Sequence, residues 1–70
     1  MPLIEVHLLS GRTDAQKRAL LEALTRATTK SLGVPLESVR VWIQEMSPRE
    51  YMIGGTLAAE RPSGKTRPSD

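Results

Sequence analysis

The chain has no cysteine, no phenylalanine and one histidine, His7. Without thiols there is no disulfide to staple the fold and no thiolate nucleophile. With a single histidine, the His/Cys cluster that a zinc site is built from is not expected. Trp42 and Tyr51 are the only aromatic residues, too few for a platform on which bases stack. Charge of a single sign is lacking as well. The net charge of +2 divides almost evenly, with seven Lys/Arg against six Asp/Glu over residues 1–55, and no basic stripe emerges. Nucleic acid is not an expected partner. No apolar run approaches the ~20 residues of a membrane helix, and no signal-peptide pattern heads the chain, so no membrane partner is expected and the cytoplasm is the expected location.

Seventy residues make one small domain, and a chain of this size buries too little surface to be secure alone. With disulfides and metals excluded, association with further copies is the remaining source of stability.

What is present is strongly patterned. LIEVHLL, residues 3–9, alternates between Ile4/Val6/Leu8 and Leu3/Glu5/His7/Leu9, the period of a strand. Gly11 breaks it. Thr13-Asp14-Ala15-Gln16 is a capping box, and residues 14–32 follow with helical spacing in which Leu20, Leu24, Ala27 and Ser31, joined by Leu21 and Thr28, form one stripe. Gly33 and Pro35 end the helix. SVRVWIQEM, residues 38–46, alternates again, with Val39/Val41/Ile43/Glu45 on one face and Arg40/Trp42/Gln44/Met46 on the other. A strand that returns through a helix lies parallel to the first, with a right-handed crossover. Residues 51–59 suggest a short hairpin around Gly54-Gly55. The expected fold is therefore α+β: a single β-α-β unit with a parallel two-stranded sheet, one long helix and a small C-terminal hairpin. A domain over residues 1–60 is expected to be followed by a disordered tail, residues 61–70, in which no apolar side chain occurs.

A two-stranded sheet covered by one helix leaves its other face wet. Leu3, Leu9, Trp42 and Met46 are expected there, and apolar residues on such a face mark an interface between copies or a surface the hairpin partly covers.

Pro2 raises the functional question. Initiator methionine is generally trimmed before a small residue, and its removal leaves Pro2 with a free secondary amine, which is a base and a nucleophile. The set of Pro2, the first strand, Ser10-Gly11-Arg12-Thr13, the long helix, SVRVWIQEM and Ile53-Gly54-Gly55 resembles the 4-oxalocrotonate tautomerase family over residues 2 to about 59. The resemblance implies a cofactor-independent isomerase that ketonises a 2-hydroxydienoate such as 2-hydroxymuconate. It implies Pro2 as catalytic base, Arg40 as both catalytic and substrate-binding, and Arg12 as the holder of a distal carboxylate. The Leu9 backbone amide is implied in substrate binding, with Tyr51 and Ile53 as the wall that excludes water. It also implies a homohexamer built as a trimer of dimers, with groups of one site drawn from different subunits. Tyr51 stands where the family commonly has phenylalanine, and Trp42 is bulkier than the aliphatic residue common at its position.

Each residue also has a plainer reading. Arg12 alone is a solvated loop residue; Arg40 pairs with Glu5 across the sheet; His7 lies at an interface or on the surface; Tyr51 packs a hairpin. Glu45 and Glu50 have no paired acid at useful spacing. At the level of function, a hydratase or dehalogenase on the same proline scaffold stands as an alternative, requiring a further acidic residue to activate water. A non-catalytic oligomeric binding protein is another.

Overall fold

The computed structural model describes residues 1–61. Strand β1 (Leu3–Leu9), helix α1 (Asp14–Leu32) and strand β2 (Arg40–Met46) follow in order, and then the two-residue strands β3 (Met52–Ile53) and β4 (Thr56–Leu57), with single 3-10 turns at Leu36–Ser38, Pro48–Glu50 and Ala58–Glu60. β1 and β2 pair in parallel in a register that sets Leu3 beside Arg40, Glu5 beside Trp42 and Leu9 beside Met46. β3 and β4 form a separate antiparallel pair. The β-α-β unit and its hairpin are thus as the patterning predicts. Of the tail expected over residues 61–70, only Arg61 is described; its amide donates to the Ala58 carbonyl at 3.2 Å. Residues 62–70 lie outside the described part of the chain.

The helix ends are set by local chemistry. The Thr13 hydroxyl accepts from the Gln16 amide at 3.0 Å and the Gln16 side chain accepts from the Thr13 amide at 2.9 Å, which satisfies two otherwise orphaned donors. The Gly33 amide caps the other end by donating to Thr29 O. Along α1 the half-buried positions are Lys17, Leu20, Leu21, Leu24, Thr25, Thr28 and Thr29, while Ala27 and Ser31, expected in the stripe, are exposed. The rows of a helix surface lie side by side. Lys17 Nζ stands 3.0 Å from Glu45 Oε2, so the row that carries Lys17 borders β2.

Both strands alternate between half-buried and exposed residues. Ile4, Val6, Leu8, Val41 and Ile43 are half-buried, and Leu3, Glu5, His7, Arg40, Trp42 and Gln44 are exposed. Leu3 is 64% exposed and Trp42 42%, as expected of an uncovered face. Leu9 and Met46, expected on that face too, are half-buried, and they line one cavity with Pro48, Tyr51, Ile53, Ala58 and Ala59. Among the described residues none is fully buried, apolar or polar. One copy of the chain therefore has no dry interior, and the hydrophobic effect, which scales with apolar area removed from water, is left largely unspent.

Candidate active site

The site residues inferred from the sequence fall into two groups at opposite ends of the β1–β2 sheet. Pro2 and Arg40 stand at the head of the strands. The Pro2 carbonyl accepts from the Arg40 amide at 3.0 Å, and Pro2 itself is half-buried, while Met1 in front of it is 77% exposed. The Arg40 side chain lies on the exposed face. Its Nη1 donates to the Glu37 carbonyl at 2.9 Å, a carbonyl presented by the 3-10 turn Leu36–Ser38. That turn is closed by the Ser38 amide and hydroxyl, both donating to Pro35 O, at 3.0 and 2.7 Å. The cross-sheet Arg40–Glu5 pair is not formed. Glu5 instead faces His7, with 3.6 Å between Oε2 and Nε2.

Leu9, Arg12, Tyr51 and Ile53 come together at the other end, where they line one cavity of about 650 Å³. Seven strand residues at ~3.3 Å each separate this end from the first by roughly 23 Å. Within one chain Pro2 and Arg12 cannot act on one small molecule.

Arg12 owes its place to its neighbours on both sides. Gly11 has φ of +125°, a conformation that a side chain would strain, and the Thr13 capping box begins immediately after. Arg12 is half-buried and also borders a smaller recess beside Leu8, Gln16 and Leu20. Tyr51 and Ile53 owe theirs to the hairpin. Gly54 and Gly55 both have positive φ, 59° and 91°, as a two-residue type I′ turn needs, and the Tyr51 carbonyl accepts from the Ala58 amide at 2.8 Å. Tyr51 is 38% and Ile53 44% exposed, so the wall they form is open on one side.

Three further side chains with polar or charged ends line this cavity: His7, Ser10 and Arg61. Sequence reasoning placed His7 at an interface or on the surface and Arg61 in the tail. His7 shares the outward strand parity of Leu9, and that shared face was the signal that linked it to the cavity. No comparable signal exists for Arg61. Among the described residues, no Asp or Glu lines the cavity. Glu45 is engaged by Lys17 on the helix side of the sheet.

Among the described residues no helix is long and apolar enough to cross a membrane, and no group of His, Cys, Asp or Glu is placed to hold a metal ion.

Comparison with known proteins adds a family. A family model described as "Tautomerase enzyme" matches residues 2–61. A 2-hydroxymuconate tautomerase of Pseudomonas putida is 45% identical over 60 residues, spanning 86% of this chain and 95% of that protein. Among solved structures, TomN, a 4-oxalocrotonate tautomerase homologue in the tomaymycin biosynthetic pathway, is 47% identical. It superimposes with a TM-score of 0.83 over 89% of this chain and 95% of its own. A heterohexamer 4-oxalocrotonate tautomerase from Chloroflexus aurantiacus J-10-fl is 39% identical, with a TM-score of 0.82 over 87% of this chain and 98% of its own.

Proposed function

The chain belongs to the tautomerase family, an enzyme family of isomerases, and from that premise we propose that it ketonises a 2-hydroxydienoate such as 2-hydroxymuconate, with Pro2 as base and acid once Met1 is removed. The prolyl nitrogen takes the proton of the 2-hydroxyl as the C2–O bond becomes a carbonyl. The diene electrons shift along the chain, and the prolinium returns a proton at C5, which leaves the conjugated 2-oxo isomer. Nothing is oxidised or reduced, so no cofactor is called for. Arg40 holds the 1-carboxylate and the 2-oxygen, where enolate charge grows, and stabilises the transition state there. Arg12 grips the distal carboxylate with its planar fork. The Leu9 amide contributes a donor, and Tyr51 and Ile53 keep water out. The α-amine of an ordinary chain has a pKa of about 8. Neighbouring guanidinium groups and an apolar wall disfavour its cation, which tunes the base toward neutrality.

The observation that carries this reading is the division of the site between the two ends of the sheet. Pro2 and Arg40 stand at one end and Arg12, Tyr51 and Ile53 at the other, so on this reading a complete site draws on more than one copy. A homohexamer, a trimer of dimers in the cytoplasm, meets that requirement. It would also cover the exposed Leu3 and Trp42 face that a single chain leaves wet. Hydration or dehalogenation on the same scaffold needs a carboxylate to activate water, and among the described residues none lines the cavity.

The test is an ultraviolet assay of 2-hydroxymuconate ketonisation by protein whose mass confirms the loss of Met1. Turnover that requires the free Pro2 amine is the expected result. Full turnover by protein retaining Met1 would overturn the assignment of the base, because an amide nitrogen is not basic.

A further inference from the structure

Arg40 is held at two points. Its amide donates to Pro2 O at 3.0 Å. Its side chain turns back on its own chain, and Nη1 donates to the Glu37 carbonyl at 2.9 Å. That carbonyl belongs to the same peptide unit as the Ser38 amide. In a planar trans unit the C=O and the N–H point opposite ways. The Ser38 amide donates to Pro35 O at 3.0 Å, and the Ser38 hydroxyl donates to the same oxygen at 2.7 Å. Holding the Ser38 N–H on Pro35 therefore aims the Glu37 oxygen away from Pro35, toward Arg40.

We propose that Ser38 is a positioning residue of the tautomerase reaction: its hydroxyl locks the turn Leu36–Ser38, and the turn holds the Arg40 guanidinium ready for the enolate charge. The inference rests on the tautomerase reading and gives a task to a residue that acts only through Arg40. Arg40 is exposed, and a free arginine loses much rotamer freedom when it grips an anion. A side chain already restrained has lost part of that freedom before substrate arrives, so it meets developing charge without reorganising. The guanidinium has five N–H donors in a fixed fork. Spending Nη1 on Glu37 leaves the Nε–Nη2 edge for two parallel bonds to an anionic substrate. The lock itself is sheltered, because Ser38 is half-buried while Glu37 and Arg40 are exposed.

The test is Ser38→Ala, with Ser38→Thr as the variant that keeps a hydroxyl. Ser38→Ala is also made in an Arg40→Ala background. Steady-state kinetics use a dicarboxylate and a monocarboxylate enol, with sedimentation as a check on assembly. Ser38→Ala lowers kcat/KM for both substrates about three- to tenfold, the rate equivalent of one ordinary hydrogen bond. Ser38→Thr recovers most of the loss. In the Arg40→Ala background, Ser38→Ala has no further effect. A merely structural loss costs the same factor in both backgrounds, and that result overturns the inference.

Wild-type protein alone supplies a second measurement, nitrogen-15 NMR of the arginine guanidinium groups. Rotation about the Nε–Cζ bond is slower at Arg40 than at Arg26, which is exposed on α1, and Ser38→Ala speeds it at Arg40 only. Equally fast rotation at both residues in wild type overturns the inference. This signal does not depend on turnover. If wild type turns over neither enol, yet Arg40 is restrained and Ser38→Ala releases it, the activity reading fails and the positioning of Arg40 stands. If turnover is normal and Ser38→Ala changes neither the rate nor the Arg40 signal, the activity reading stands and the role of Ser38 fails.

Discussion

The Pro2 carbonyl and the Arg40 amide are joined by a 3.0 Å hydrogen bond, the first rung of the β1–β2 ladder. The residue that carries the proposed base and the residue proposed to stabilise the enolate are thereby fixed at the same end of one sheet. The register matters as much as the bond. A slip of one residue would carry the Arg40 side chain to the helix face, because alternate residues of a strand point oppositely.

The proposed base function at Pro2 would make the amino terminus sensitive to any extension. Protein retaining Met1, or carrying an added residue, loses ketonisation by a factor on the order of 10²–10⁴, the usual contribution of general acid–base catalysis. Pro2→Ala loses most but not all activity, since a primary amine remains. Intact mass paired with initial rates checks this.

The two arginines of the motif separate in kinetics. Arg12→Ala raises KM for a dicarboxylate and leaves a monocarboxylate analogue nearly untouched, the signature of a lost uniform binding contact. Arg40→Ala lowers kcat for both substrates by roughly 10²-fold, as loss of an oxyanion donor does. Equal kcat damage to both substrates in Arg12→Ala would move Arg12 to the reacting centre.

The pH profile follows from the same charges. With Pro2 as the proposed base, activity is expected to rise with pH as its amine loses its proton, and a nearby cation opposes protonation. Removing one cation favours the protonated amine, so Arg40→Ala shifts the acid limb of kcat/KM to higher pH. A limb that stays in place in this variant contradicts the electrostatic coupling.

Trp42→Asp places a charge on the exposed face that also carries Leu3. Sedimentation velocity is expected to show dissociation toward smaller species, with activity falling in parallel. A stable, folded wild-type monomer at micromolar concentration contradicts the assembly on which this rests.

Thr13→Ala removes the acceptor of the Gln16 amide, 3.0 Å away, and costs about 1 kcal/mol. Urea unfolding at one fixed protein concentration, needed because association shifts apparent stability, measures it. An unchanged midpoint would show that the cap is replaced by water.

Much of the fold was legible because its determinants are local. Thr13 and Gln16 meet within one turn of helix, Gly54-Gly55 specifies its hairpin by backbone freedom, and the alternation of residues 3–9 and 40–46 announces two strands. The candidate residues were legible as a motif, from Pro2 to Ile53. What only the tertiary structure decided is their partition. Parallel pairing of two strands distant in sequence sets Pro2 and Arg40 at one end. Leu9, Arg12, Tyr51 and Ile53 gather at the other, a strand's length away, and no local pattern encodes that register. Arg61 belongs to the same class. Its composition reads as tail, and it reaches the cavity through a turn that hangs on the Ala58–Tyr51 hydrogen bond. That contact spans the hairpin, and only the folded chain creates it.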